Sequence, residues 1–111
     1  MRAILIDPVK QAVTEVQWDG TLKDIYAHTQ TDRVEIAVSW QCDDFAVYVD
    51  EEGLFKQNQE FFQLMGCYSP LAGRGLMVGP VDNDGNETEL KFPLADAEAY
   101  ITWLPGIEVI Y

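Results

Sequence analysis

The sequence has few residues that bind metals or form disulfides. Cys42 and Cys67 are its only cysteines and His28 is its only histidine. Two distant thiols without a CxxC pair, together with one imidazole, cannot supply the four ligands of a structural zinc site. We expect both thiols to be reduced and structural, because a disulfide requires the fold to bring their Cα atoms to about 5 to 6 Å. The sequence therefore predicts neither a metal ion nor a cofactor.

Basic side chains are also scarce. Seven Lys and Arg residues stand against nineteen Asp and Glu residues, which gives a net charge of −12. Nucleic acids and anionic membranes bind positive protein surface, so we expect neither as a direct partner. A protein partner should have a basic or neutral surface. The alternative is that the charge only keeps the protein soluble.

Long apolar runs are missing as well. No window approaches the roughly eighteen uninterrupted apolar residues of a membrane span. The apolar run at residues 3–6 is too short for the central region of a signal peptide. The sequence therefore predicts no membrane segment and a cytoplasmic location. The length of 111 residues predicts a single domain over residues 1–111.

The chain does contain an apolar segment punctuated by glycine, PLAGRGLMVGPVDNDG, which begins at Pro70. Residues 76–81 lack polar alternation, which predicts a central strand sealed on both faces. Close approach of neighbouring groups is expected at Gly73, Gly75 and Gly79. Residues 82–85 have turn chemistry, so we expect residues 87–92 to return as the second strand of a hairpin.

Several other segments have the pattern of strands, at residues 2–7, 12–18, 34–41, 45–50 and 107–111. The first is a short apolar run that Asp7-Pro8 ends, and the segments at 34–41 and 45–50 show the clearest alternation with a period of two. The clearest hairpin joins the third and fourth of these strands through a short turn.

Three segments have helix signals. Thr21 is a capping residue with Asp24 three positions later, which predicts a short helix. Further helices are expected at residues 58–65 and 93–104. This order of elements predicts an α+β fold, a mainly antiparallel sheet of about six to seven strands with two to three short helices packed on it.

Arg74 is the most distinctive candidate for binding a ligand. It lies between two glycines, and a guanidinium beside exposed backbone N–H groups can hold a carboxylate or a phosphate. Tyr68 and Ser69 shortly precede it and complete a candidate binding site for a nucleotide or an acidic metabolite. The alternative is a structural ion pair between Arg74 and one of the many carboxylates.

Signatures of catalysis are absent. Neither GxGxxG nor GxxxxGK[ST] occurs, and no GxSxG motif surrounds Ser69. The Asp-rich turn is not a calcium loop, because Pro80 stands where the first Asp belongs and Lys91 where the final Glu belongs. The sequence therefore predicts no catalytic residue.

Four segments give the chain a family resemblance: RAILIDP from Arg2, DGTLKDIYAHT from Asp19, VDEEGLF from Val49, and PLAGRGLMVG from Pro70. Through them the chain resembles a family of small uncharacterised proteins carried mainly by bacteriophages, plasmids and their bacterial hosts, a domain of unknown function. The resemblance implies an accessory protein of a mobile element and assigns no active residue.

Three functional hypotheses follow. The first is a non-enzymatic acidic protein that modulates a host or phage protein through its surface, as a nucleic-acid mimic would. The second is a small-molecule binding protein or enzyme with a pocket near Arg74. The third is a self-associating module, in which a strand at residues 107–111 pairs with a second copy as a homodimer.

Overall fold

The fold is known from a computed structural model, which describes residues 1–37, 44–51, 60–65 and 70–105. These residues form eight strands in two antiparallel sheets, together with two helices. In chain order the elements are β1 (Arg2–Asp7), β2 (Ala12–Gln17), α1 (Leu22–Thr29), β3 (Val34–Ala37), β4 (Ala46–Asp50), β5 (Phe61–Leu64), β6 (Leu71–Ala72), β7 (Gly75–Val78), α2 (Leu94–Tyr100) and β8 (Ile101–Leu104). The predicted α+β class is confirmed, but the strands form two sheets instead of one.

The five-stranded sheet has β7 at its centre, in the order β2-β1-β7-β4-β3. Leu76, Met77 and Val78 are at most 1% exposed, which confirms a strand sealed on both faces. The sealed segment is shorter than predicted, because Val81 is 53% exposed. Pro80 has no N–H group with which to continue a sheet ladder, so the chain leaves the sheet there.

The two faces of this sheet contact different layers. One face belongs to a core that extends into the second sheet and α2, where Ile4, Met77 and Phe62 are fully buried. The other face packs against α1 and the residue that follows β2, through Ile25 and Trp18. The five-stranded sheet is therefore the middle layer of the structure.

The second sheet, in the order β6-β5-β8, contains two segments that were predicted to be helical. Residues 61–64 are β5 and residues 101–104 are β8, so both helix predictions are wrong there. Phe62 pairs with Trp103 in this sheet. Apolar residues that are buried on both faces of a strand give no alternation, so their pattern is hard to distinguish from that of a buried helix.

α1 begins at the predicted cap. The Thr21 hydroxyl accepts the backbone N–H of Asp24 at 3.2 Å. In a capping box the Asp24 carboxylate would accept the backbone N–H of Thr21. Here it accepts the backbone N–H of Asp19 instead, at 2.9 Å. Hydrogen bonds from the Thr21 hydroxyl and N–H lower the pKa of Asp19 below its ordinary value. The helix runs from this cap to Thr29, at the opposite end of the sheet.

The Asp-rich turn forms as predicted. The Asp82 Oδ1 atom accepts the backbone N–H of Asp84 at 2.9 Å, and Gly85 has a φ of +84°. The predicted return strand does not form, since one isolated bridge between Val81 and Glu87 is all that follows the turn within the described residues.

Arg2 holds the segment that was predicted as the return strand. Its guanidinium donates to the carbonyl oxygens of Leu90 and Phe92 at 2.9 and 2.8 Å. The backbone N–H of Arg2 donates to the Glu89 carboxylate at 2.7 Å. These bonds join parts of the chain that are distant in sequence, so the local pattern of residues 87–92 does not indicate them.

Two glycines of the central segment lie where a side chain has no room. A Cβ atom at Gly75 would lie 3.0 Å from Cζ of Phe62 and 3.3 Å from Cγ1 of Val47. A Cβ atom at Gly79 would lie 2.7 Å from the carbonyl carbon of Glu89. The prediction of close packing is confirmed at both glycines.

We expect Gly79→Ala to destabilise the protein more than Gly75→Ala. The neighbour of Gly79 is backbone and cannot rotate away, whereas the Phe62 ring can shift. Expected losses in the free energy of unfolding are about 3 kcal/mol or more for Gly79→Ala and about 1 to 2 kcal/mol for Gly75→Ala, measured by urea denaturation.

Gly85→Ala is the control for these two variants. No atom lies within 4 Å of a Cβ at that position, so only the positive φ is penalised, by about 1 kcal/mol. Equal losses at Gly75 and Gly79 would contradict the steric explanation.

Candidate functional site

One edge of the five-stranded sheet collects charged residues from three neighbouring strands. β1 ends at Asp7 and β4 ends at Asp50, while β7, which is antiparallel to both, begins immediately after Arg74. The C-terminal ends of the two outer strands and the N-terminal end of the central strand therefore lie at the same edge.

The register of the sheet aligns these three residues. The last pair of the β1–β7 ladder is one residue short of Asp7 and Arg74, and the last pair of the β4–β7 ladder is two residues short of Asp50 and Arg74. Extending both ladders places Arg74 opposite each carboxylate. Directly opposed residues of antiparallel strands share a face, with Cβ atoms about 4.5 to 5.5 Å apart.

A cavity of about 320 Å³ opens at this edge. Its lining includes Asp7, Lys10, Thr29, Asp50, Gly73 and Arg74. Three of these residues, Asp7, Thr29 and Asp50, are only 5%, 5% and 8% exposed, and they are the buried polar residues of the described chain. All the buried polar residues found in the described ranges therefore border one cavity.

Hydrogen bonds hold Asp7 in a fixed position. Its Oδ1 atom accepts the backbone N–H groups of Val9 and Lys10 at 3.0 and 3.3 Å. Its Oδ2 atom lies 3.4 Å from Nη2 of Arg74. A guanidinium has five N–H donors, which is more than one contact with a carboxylate oxygen uses. The ion pair that was the structural alternative for Arg74 is therefore present, and the same side chain lines the cavity.

The C-terminal end of α1 forms another wall of the cavity. The Thr29 hydroxyl donates to the carbonyl oxygen of Ile25 at 2.8 Å, which leaves its oxygen able to accept a hydrogen bond. Gln30 ends the helix in the left-handed region with a φ of +58°. The helix therefore presents its last turn to the charged row on the sheet.

Arg74 is the predicted site residue that the structure places in the cavity. Tyr68 and Ser69 lie outside the described residues, and so do Cys42 and Cys67. The strand predicted at residues 107–111, on which the homodimer hypothesis depends, also lies outside them.

Asp7, Asp50, Lys10 and Thr29 were not expected at this site from the sequence. Asp7 and Asp50 are the last residues of two predicted strands, and an Asp at the end of a strand does not by itself indicate a binding site. The missing information was that β1 and β4 both pair with β7, and no motif in the sequence indicates that pairing.

A larger cavity of about 520 Å³ lies near the start of α2. Four charged residues line it together with prolines and Phe92, and these are Asp44, Glu89, Lys91 and Asp96. All four are exposed. Because water already solvates these charges, the larger cavity is the weaker candidate for a specific ligand site.

Tyr48, Glu87 and Trp18, which are half-buried or mainly apolar residues, have polar atoms that are buried away from this cavity. Burial and the charge of Glu87 together raise the pKa of Tyr48, with burial the larger cause. One carboxylate oxygen of Glu87 and the indole N–H of Trp18 are buried without a hydrogen-bond partner. None of these three residues lines the Arg74 cavity.

Within residues 1–37, 44–51, 60–65 and 70–105, no three His, Cys, Asp or Glu residues are grouped to hold a metal ion. Neither α1 nor α2 has the length and apolar character needed to cross a membrane.

A family model described as a domain of unknown function (DUF3846) matches residues 1–101. The chain belongs to this family, and the match includes every residue of the cavity. Searches of the curated proteins and of the solved structures gave no match. The resemblance to a domain of unknown function is confirmed, and the phage and plasmid setting stays a prediction.

We expect the ion pair between Asp7 and Arg74 to show energetic coupling. Arg74→Met leaves the buried Asp7 carboxylate without its cationic partner and should lower the free energy of unfolding by about 1 to 3 kcal/mol. Asp7→Asn keeps an oxygen for the turn and should cost about 1 kcal/mol.

The double variant should lose less stability than the sum of the two single variants, because it has no unpaired buried charge. Urea denaturation of all four proteins measures this coupling. Strictly additive losses would show that the two side chains do not interact.

Proposed function

We propose that the protein binds a small polar molecule with an acidic group, such as a nucleotide or another metabolite, in the cavity lined by Asp7, Asp50 and Arg74. One observation carries this proposal. The buried polar residues found in the described part of the chain all border this cavity.

The cost of burying charge supports a ligand site. An ionised carboxylate loses several kcal/mol of hydration when it is buried, and pairing offsets this loss only when the geometry is good. The contact between Asp7 and Arg74 is 3.4 Å long, whereas a strong charge-assisted hydrogen bond is about 2.7 to 2.9 Å long. A concave site with a few convergent polar groups is the usual form of a small-molecule site.

The proposed activity is binding and not catalysis. Thr29 provides the hydroxyl in the cavity lining, and it donates to the carbonyl oxygen of Ile25 at 2.8 Å. Nucleophilic catalysis requires that a base accept the hydroxyl proton. The observed bond gives Thr29 a structural role at the end of α1.

We expect a ligand from a panel of nucleotides, acidic metabolites and free amino acids to raise the melting temperature of the protein. A ligand at one hundred times its dissociation constant adds about 2.7 kcal/mol, which corresponds to a rise of roughly 10 °C for a domain of this size. Differential scanning fluorimetry measures the shift.

Arg74→Met should abolish that shift. Lys91→Met removes the same charge at the larger cavity and should behave like the parent protein. The proposal fails if no compound shifts the melting temperature, or if Arg74→Met responds as the parent does.

Binding of a basic or neutral protein partner is the second candidate function, and the loop after β7 favours it. Val81 is 53% exposed there, and Asp82, Asp84 and Glu89 are exposed around it. An exposed apolar residue among acidic residues can combine apolar contact with electrostatic steering. In this proposal the protein is a non-enzymatic accessory of a phage or plasmid that modulates a protein in the bacterial cytoplasm.

We expect the parent protein to retain a basic protein from a bacterial lysate at low salt and to release it at high salt. The double variant Val81→Ser, Asp84→Asn should reduce retention at least fivefold, whereas the matched variant Ile36→Ser, Glu35→Gln at β3, where Ile36 is 52% exposed, should not. Affinity capture with mass spectrometry makes the comparison. If no basic protein is retained at low salt, the proposal of a protein partner is wrong and the acidic charge serves only to keep the protein soluble.

A further inference from the structure

Among the described residues that line the cavity, positive and negative side chains are equal in number, although the whole protein is acidic. Asp7 and Asp50 contribute two formal negative charges, and Lys10 and Arg74 contribute two positive charges. The whole chain has a net charge of −12. A ligand with several negative charges would therefore be repelled by two carboxylates in the cavity and by the remaining acidic protein. A ligand with one charge of each sign would meet a partner for both.

The order of the charges favours the same class of ligand. Arg74 immediately precedes β7, and Asp7 and Asp50 end the two strands that flank β7 in the sheet. Neighbouring strands of a sheet lie about 4.7 to 4.9 Å apart. Opposite charges on the ligand must therefore be close together if one is to reach the guanidinium while the other reaches a carboxylate.

Arg74 has the donors that an anionic group requires. Its contact with Asp7 uses one nitrogen at 3.4 Å, and a ligand carboxylate can accept a bidentate pair from a guanidinium. Lys10 lines the same cavity and adds a second positive charge.

Asp50 is the acceptor for a cationic group. It is 8% exposed and already has an interaction within the protein. An ionised carboxylate has about four lone-pair sites, so it can accept a further bond from an ammonium group. Asp7 is already contacted by two backbone N–H groups and by the cationic side chain of Arg74.

The size of the cavity limits the ligand further. Its volume of about 320 Å³ is near the lower end of the range of roughly 300 to 1,000 Å³ for ligand pockets. We infer that the cavity binds a free α-amino acid, whose carboxylate contacts Arg74 and whose ammonium group contacts Asp50. This inference rests on the proposed small-molecule function and narrows it to a zwitterion.

Ligand-observed saturation-transfer NMR on the full chain tests the twenty free L-amino acids one by one. Titration calorimetry then compares each amino acid that binds with its N-acetyl derivative, its amide and a mononucleotide. We expect both blocked derivatives and the mononucleotide to bind at least tenfold more weakly than the free amino acid.

Two variants assign the charges of the ligand to residues. Arg74→Met should weaken binding of the free amino acid at least tenfold, and this variant should bind the free amino acid and its amide with equal affinity. Asp50→Asn should also weaken binding of the free amino acid at least tenfold, and this variant should bind the free amino acid and its N-acetyl derivative with equal affinity. Lys91→Met, at the other cavity, should preserve both advantages. The blocked derivatives are compared on the parent protein, so that part of the test is independent of how well the variants fold.

The outcomes separate this inference from the proposed function. Equal affinity for free and blocked amino acids would overturn the zwitterion and leave a small-molecule site. Binding of mononucleotides or dicarboxylates without any amino acid would do the same. No binding by any of these compounds would overturn both.

Discussion

The pairing of β7 with β1 on one side and β4 on the other is the constraint on which the rest of the structure depends. It buries Leu76, Met77 and Val78 between the α1 layer and the second sheet. It also requires glycine at positions 75 and 79, where a Cβ atom would meet Phe62 or backbone. Antiparallel pairing on both sides of one strand brings the ends of β1 and β4 to the start of β7.

The candidate site is a direct consequence of that pairing. Asp7, Arg74 and Asp50 form one row because their strands are neighbours in a fixed register. The row lies where the sheet ends and α1 ends, so a cavity exists beside buried charged groups. Such an arrangement combines the electrostatic strength of a partly dehydrated environment with access from water. It is the feature of this fold that most directly supports ligand binding.

Much of the five-stranded sheet was predictable because its signals are local. Alternation identified β2, β3 and β4, a short apolar run before Asp7-Pro8 identified β1, and the capping residue Thr21 identified α1. The second sheet was not predictable in this way. Phe61 and Phe62 are both buried in β5, so the segment lacks the alternation of a half-buried strand, and pairing with β8 decided its conformation. The prediction of a return strand at residues 87–92 was also wrong. There a contact distant in sequence decided the conformation, because the Arg2 guanidinium donates to the carbonyl oxygens of Leu90 and Phe92.

The acidic charge, the α+β class, the family, the sealed central strand and the candidate role of Arg74 could all be predicted from the amino-acid sequence. These properties depend on composition or on residues that are close along the chain. The grouping of Asp7, Asp50 and Thr29 with Arg74 around one cavity became visible in the folded chain alone. The reason is physical: the register between strands far apart in sequence depends on packing across the whole sheet, and no short segment contains that information.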